Sequence, residues 1–499
     1  MRNKENKTGK NFIGVSILIF FSKLLGFARD IVFASVFGTT ILTDAFQVIF
    51  SFPSLLFSSI GMALSSVNIP DLTYFVKSRS REERNRYIAS LYAQITIWGS
   101  LIALLGIIFA PALTQLIAPG LSGEVTGIAT FLTRIMMPTL LFVSLTYLTT
   151  GVLQVHGYFM LSAVISIPFN LLIIGALLLR GADIIILGYV TTAGWFLQFL
   201  IQIPVLVKEK YRFLGKIEFK NEKIINLYKN LLPILLGNSL LQLCLIIDRS
   251  FATHLSEGTT AALAFGSNLF ITATSIFIVA MSIVVFPRLS EYCLQLDYER
   301  MRETLAAVFK VLLFILLPYL LLVVAYNREI ITLVYERGAF TSKSTAMTSL
   351  AFLLYSLAVV GYACQEIFNR VFYALKKFHI PMKASLLCLL INLLLDFLLF
   401  RQAGIAGISL STSFCLLLYG VIMSFMVRQE VGSFVGRDFL LFAGKLSVPA
   451  GAMLGVVYAS KCFFPGGPVY AFLLPLLLSA GAYLGAAWVM GLRKDLLLK

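Results

Sequence analysis

The sequence predicts an all-α polytopic membrane protein. Three observations carry that expectation. Long apolar runs recur from one end of the 499 residues to the other. The chain is 59% hydrophobic and 13% charged, with a mean hydropathy of +0.90, which excludes a soluble globule or a disordered chain. The sequence also resembles itself at an offset of about 220 residues, the mark of a transporter built from two copies of one unit.

In chain order the apolar runs fall at 12–37, 41–67, 88–112, 125–151, 159–180, 184–207, 224–254, 260–286, 304–326, 344–374, 382–400, 404–427, 438–461 and 469–491. A span needs about 20 apolar residues to cross a hydrocarbon core of about 30 Å, so about fourteen spans are expected. No large soluble domain fits between them. The basic opening MRNKENKTGK leads into the first run without a small-residue cleavage site and reads as a cytoplasmic tail.

The net charge of +16 is not spread evenly. It concentrates in KSRSREERNR (77–86) and KEKYRFLGKIEFKNEK (208–223), which lie on one side with the N-terminus if the spans alternate. That is the positive-inside pattern, with both termini cytoplasmic in a multi-pass protein of the cytoplasmic membrane. The clusters read first as topology signals and second as contacts for anionic membrane lipids. No nucleic-acid partner is expected. The six cysteines lie mostly within spans and form no CxxC, so they read as small apolar packers.

The internal repeat is explicit in places. FASVFGTTILTDAFQVIF (33–50) is echoed by FATHLSEGTTAALAFGSNLF (251–270). IPFNLLIIGALLLRGADIIILGYVTTA (167–193) is echoed by LLINLLLDFLLFRQAGIAGISLSTS (389–413), which sets Asn170 opposite Asn392. Six spans per copy is an even number, so the copies are parallel repeats. The expected organisation is an N-terminal lobe at 1–220, a C-terminal lobe at 221–430, and two additional helices at 431–499. The two six-helix lobes are expected to face each other across a central cavity.

Polar residues inside the apolar runs are the candidate sites. Asn392 and Asp396 sit at i, i+4 in CLLINLLLDFLLF, on one helical face. An acidic residue near the bilayer centre costs about 2.5–3.5 kcal/mol on insertion scales, so it is kept for binding, relay or pairing. Asp248 ends another span, and Thr412 lies on the helix after the Asn392/Asp396 helix. Together they offer side-chain oxygens and no nitrogen or sulfur ligand, a set for a hard ion such as Na⁺, or for H⁺. An interhelical hydrogen-bond cluster without an ion is the competing reading.

In the first span, Lys23, Arg29 and Asp30 lie in SKLLGFARD. Two cations this deep match an anionic substrate such as a pyrophosphate. Alternatively Arg29 pairs with Asp30 or Asp44 and holds the fold. Glu366 and Arg370 at i, i+4 read as an intrahelical salt bridge. His156, His254 and His379 all lie near span ends, where interfacial hydrogen bonding is expected. No Walker motif, HExxH or nucleophile elbow occurs, so neither ATP-driven transport nor an enzymatic activity is expected.

The phrase SKLLGFARDIVFASVFGTTILTDAF (22–46) resembles the MurJ/MviN family of lipid II flippases, within the multidrug/oligosaccharidyl-lipid/polysaccharide exporter superfamily. The likeness continues through QVHGYF (154–159), YERGAFT (335–341) and RVFYALKKFHIPMK (370–383). The resemblance implies an inner-membrane flippase, expected as a monomer, that moves an undecaprenyl-pyrophosphate-linked peptidoglycan precursor by alternating access in cell-wall synthesis. It implies a substrate cavity at Lys23, Arg29, Asp30 and Asp44. It implies a sodium site at Asp248, Asn392, Asp396 and Thr412 with a backbone carbonyl near Ile408, and a lipid-tail groove at 438–491. The sequence departs from the family pattern at Phe57 and Ser58, where many members carry an Arg-Arg pair, at Met62 and Ala63, where they carry Glu-Gly, and at Gly266, Ser267 and Asn268, which replace an Ala-Asp-Arg phrase. A flippase for another polyprenyl-linked saccharide fits the same residues. A drug/cation antiporter of the same superfamily fits less well, because its cavity should be acidic.

Overall fold

Apolar runs in lipid have no water to satisfy their backbone groups, so they close their hydrogen bonds within helices. The computed structural model describes residues 2–53, 72–76, 78–180, 183–211, 217–218, 221–463 and 472–492, and no strand occurs among them. The helices in the first half are α1 (Arg2–Phe37), α2 (Ile41–Ser51), α3 (Arg81–Ile108), α4 (Ala110–Ile117), α5 (Gly123–Met136), α6 (Thr139–Val155), α7 (Phe159–Val164), α8 (Ile167–Arg180), α9 (Ile184–Leu200) and α10 (Ile203–Lys208). Those in the second half are α11 (Glu222–Asn238), α12 (Leu240–Ala252), α13 (Thr259–Gln295), α14 (Tyr298–Tyr335), α15 (Ser342–Ser356), α16 (Val359–Ala374), α17 (His379–Val431), α18 (Arg437–Lys445), α19 (Ser447–Phe463) and α20 (Leu473–Val489).

Among the described residues, eight stretches are long and apolar enough to cross a membrane, or ten if each of two bent pairs is one span. The bent pairs are α11 with α12, at 65°, and α15 with α16, at 46°. An expectation of about fourteen spans is compatible with this. Helix α17 alone covers two expected runs, 382–400 and 404–427, and is broken at Gly404, whose φ of 53° and ψ of −130° leave helical geometry. Of the expected run 41–67, α2 accounts for the first part and residues 54–71 lie outside the described residues, as do Phe57, Ser58, Met62 and Ala63. The C-terminal RKDLLLK lies outside them as well.

The chain divides into two compact units. The first holds Met1–Ala261 with Arg337–Phe340, and the second holds Ala262–Glu336 with Thr341–Lys499. In the first unit α1 packs on α7 and α8, α3 on α6, α2 on α5, and α9 on α5, α6 and α8. One end of it is knitted by Phe75, Tyr87, Leu91, Leu148, Leu206 and Tyr211. There Phe75 stacks on Tyr87 with ring centroids 4.5 Å apart.

In the second unit α16 packs on α17, α14 on α15, and α19 on α20. Lipid tails are as apolar as leucine, so helices associate here through close packing and interhelical hydrogen bonds. Tyr419 donates to Asn369 Oδ1 at 2.6 Å from α17 to α16, and Tyr483 of α20 donates to the Phe314 carbonyl of α14 at 3.0 Å. Leu179, Leu477 and Trp488 stay largely exposed, as expected of side chains that meet lipid tails.

Candidate substrate and ion sites

Helix α1 carries a charged segment in an otherwise apolar run. Arg29 donates to Asp30 Oδ1 through Nη2 at 2.7 Å and Nε at 3.1 Å. The pair is partly buried, with side chains 20% and 16% exposed. The Arg29 guanidinium also lies over the Phe169 ring of α8, 5.5 Å from its centroid. Of the two acidic partners the sequence allows, Arg29 therefore takes Asp30. The Asp30 contact uses Nε and Nη2, so the Nη1 donors remain for a further acceptor. Lys23 is half-buried on the same helix. Two turns of α1 thus present two cations and one carboxylate, an arrangement able to receive a phosphate.

Asp44 is engaged elsewhere. It is 3% exposed, and its Oδ2 accepts from the Gly258 amide and its Oδ1 from the Ala261 amide, each at 2.7 Å. These amides belong to the N-terminal turn of α13, where unsatisfied N–H groups and the helix dipole favour an anion. Close by, the Ile41 amide donates to Glu257 Oε1 at 3.0 Å, and the Ala339 amide donates to the Ser35 carbonyl at 2.8 Å. The echoing glycines of the sequence repeat share one backbone feature here. Gly38 and Gly258 both have positive φ, 57° and 86°. A Cβ on Gly258 would also fall 2.5 Å from the Thr39 carbonyl oxygen, so only glycine fits this turn. Nothing in the sequence links Asp44 to residues 258–261.

In the second unit Asn392 and Asp396 are both fully buried on α17, as are Ile408 and Thr412 beyond the Gly404 break. The break folds α17 back, and Asn392 Nδ2 donates to Thr412 Oγ1 at 3.1 Å. Asn392 Oδ1 accepts no hydrogen bond among the described residues. A buried amide oxygen in that condition, beside a carboxylate and a hydroxyl, is an oxygen-donor set that suits a small hard cation. Asp248 is fully buried on α12 and belongs to the first unit. Beside it Arg249 donates to Ser51 Oγ. Among the described residues no three His, Cys, Asp or Glu side chains gather as a metal cluster.

The remaining sequence candidates have local partners. Arg370 lies 4.0 Å from Glu366 and donates from Nε to Ser282 Oγ at 2.8 Å. His156 Nε2 lies 2.6 Å from the Tyr211 hydroxyl. None of the six cysteines is in a disulfide.

Comparison with known proteins agrees along nearly the whole length. The family model described as lipid II flippase MurJ matches residues 33–479. A probable lipid II flippase MurJ of Buchnera aphidicola subsp. Acyrthosiphon pisum is 30% identical over 415 residues, 81% of this chain and 80% of the relative. A lipid II flippase MurJ of Burkholderia cenocepacia is 25% identical over 500 residues, 96% of both chains. The solved structure of a lipid II flippase MurJ in an inward closed conformation superposes with a TM-score of 0.81 at 25% identity, covering 97% of this chain and 100% of that one. A multidrug resistance MATE transporter in an inward-facing conformation has a TM-score of 0.62 at 13% identity and covers 84% of this chain and 98% of that one, a likeness of fold.

Proposed function

The chain belongs to the lipid II flippase MurJ family, and on that premise we propose that it carries lipid II across the cytoplasmic membrane for peptidoglycan synthesis. It acts as a transporter and makes or breaks no covalent bond. The observation that carries the reading beyond family membership is the partly buried cationic segment of α1. A pyrophosphate crossing a hydrocarbon core of about 30 Å needs compensating charge along its path. Arg29 keeps donors beyond its pair with Asp30, and Lys23 adds a second cation on the same helix. Asp30 orients the guanidinium, and Phe169 supports its face.

Movement between inward-open and outward-open states would carry the bound headgroup across. Na⁺ would be held by Asn392, Asp396 and Thr412 with a carbonyl near Ile408, and the family resemblance adds Asp248. The ion would supply positive charge to a buried carboxylate. The chain would work as a monomer with both termini in the cytoplasm, and the helices from 438 to 491 would shelter the lipid tail.

Complementation tests the reading. In cells depleted of their own lipid II flippase, this protein is expected to restore growth and Arg29→Ala to fail at equal membrane level. A well-expressed wild type without rescue would transfer the reading to another polyprenyl-linked saccharide.

A further inference from the structure

A cavity of about 380 Å³ opens at the end of the first unit where α3 begins and α10 stops. Five cations line it, Arg79, Arg81, Arg84, Lys208 and Lys210, against one carboxylate, Glu209. Concave surfaces of one sign focus the field and concentrate counter-ions. The single acid is already committed: Glu209 Oε1 accepts from the Tyr158 hydroxyl at 2.7 Å, and Oε2 lies 3.6 Å from His156 Nδ1. Arg81, Lys208 and Lys210 make no ion pair among the described residues.

The walls are built rather than draped. Ser80 caps α3 in a reciprocal capping box with Glu83, which fixes the turn between Arg79 and Arg81. Arg84 Nη2 donates to the Glu209 carbonyl at 3.1 Å, and its guanidinium lies 4.3 Å from the centroid of the Tyr211 ring. Asn85 Nδ2 donates to the Lys210 carbonyl at 3.0 Å. These bonds hold Lys210 at a φ of 59°, a conformation uncommon outside glycine. The mouth also stands at the right depth. The expected span begins at residue 88, and from Arg81 to Ile88 is about 10 Å of helix, so a hydrocarbon edge at the start of that span would leave the cations at the headgroup level.

We propose that this pocket binds a phosphate group, carried either by an anionic phospholipid headgroup or by a small phosphorylated solute. Arginine forks match phosphate oxygens bidentately, lysines add point charges, and the volume leaves room for more than the phosphate itself. Basic pockets at this level are where anionic headgroups are recognised. The site is distinct from the α1 cations and stands whatever the transported cargo.

The test uses the full chain in nanodiscs and reads thermal unfolding, because a ligand that binds only the folded state raises its midpoint. Nanodiscs of phosphatidylcholine are compared with nanodiscs containing graded phosphatidylglycerol. Glycerol 3-phosphate is titrated separately into the phosphatidylcholine samples. The variants are the double exchange Arg81→Glu with Lys210→Glu, and Arg437→Glu on α18, which does not line the pocket, as a control. Stabilisation by phosphatidylglycerol that weakens about tenfold in apparent affinity in the double variant, and not in the control, supports the pocket and assigns it to lipid. Stabilisation by glycerol 3-phosphate alone, lost in the same variant, supports it and assigns it to a solute. If neither ligand stabilises the wild type, or if the double variant keeps the full response, the proposal is overturned. Should the double variant fail to fold in phosphatidylcholine, Lys208→Gln leaves the backbone ties of the turn intact and gives the same reading.

Discussion

Asn170 and Asn392 occupy matching places in the sequence repeat, yet their surroundings differ. Both are buried, at 3% and 0% exposure, and both leave the amide oxygen without a hydrogen-bond donor among the described residues. Asn392 has Asp396 one turn on and reaches Thr412 at 3.1 Å. Asn170 has Ile174 in the acid's place. Thr192, at the matching end of the echo, donates instead to the Ile135 carbonyl at 2.9 Å. The neighbour of Asn170 on the other side is α1, where a Cβ on Gly26 would stand 3.7 Å from the Asn170 amide nitrogen. Next to Asn170, Phe169 lies under Arg29. One copy therefore surrounds its asparagine with oxygens and a negative charge, and the other sets it beside a cationic helix. On the function proposed above, the same scaffold position would serve a cation in one unit and an anion in the other.

The largest expected break of this comparison is Arg29→Ala. It should abolish rescue of flippase-depleted cells while membrane level stays within about twofold, and Arg29→Lys should keep part of the function, since a point charge replaces a fork. Next is Asp396→Asn, which keeps shape and removes charge. It should erase any sodium dependence of lipid II translocation in proteoliposomes, and undiminished sodium dependence would disconnect Asp396 from the ion. Third, Ile174→Asp writes the missing acid into the first unit. Without a threonine turned toward it, the carboxylate should cost about 2.5–3.5 kcal/mol on insertion scales. Unfolding in nanodiscs would register the loss, and a new sodium response would show that the acid alone makes the site.

Smaller effects belong to the ends of the first unit. Asp44→Ala removes the cap from α13 and should lower stability by about 1–2 kcal/mol, with Asp44→Asn intermediate. An unchanged unfolding midpoint for Asp44→Ala would refute the cap. At the opposite end, burial lowers the His156 pKa, with the Glu209 charge opposing it and Arg84 reinforcing it. A lowered folded-state pKa means that the unfolded chain takes up the proton first as pH falls. Stability is then present above the ordinary value of about 6.5 and is lost as pH drops through the folded value. Unfolding midpoints of the wild type should fall from pH 7.5 to pH 5.5 more steeply than those of His156→Gln.

Much of this was legible in the sequence because lipid imposes simple rules. Apolar runs became helices, and the i, i+4 spacing of Asn392 and Asp396 set both on one buried face. Thr412 is a candidate in the sequence from its place on the helix after the Asn392/Asp396 helix, and its hydrogen bond with Asn392 joins two of the four side chains expected to gather. That contact depends on the break at Gly404, which falls at the expected boundary between the runs 382–400 and 404–427, whereas its φ of 53° has no signal in the sequence. The engagement of Asp44 was illegible for a related reason. Its partners are backbone amides of Gly258 and Ala261, more than 200 residues away, and amides carry no sequence signature. The basic loops read as topology signals, but their meeting around one cavity depends on the Arg84 and Asn85 bonds to the turn at 209–210.

The proposed division of labour between the two units is tested most directly by measuring both ligands on both variants. Purified wild type, Arg29→Ala and Asp396→Asn in nanodiscs are titrated with lipid II and, separately, with Na⁺ against a K⁺ background, reading binding of the first and thermal stabilisation by the second. The account predicts that Arg29→Ala weakens lipid II binding about tenfold or more and keeps the sodium response, while Asp396→Asn loses the sodium response and still binds lipid II. Equal loss of both responses in both variants would contradict it.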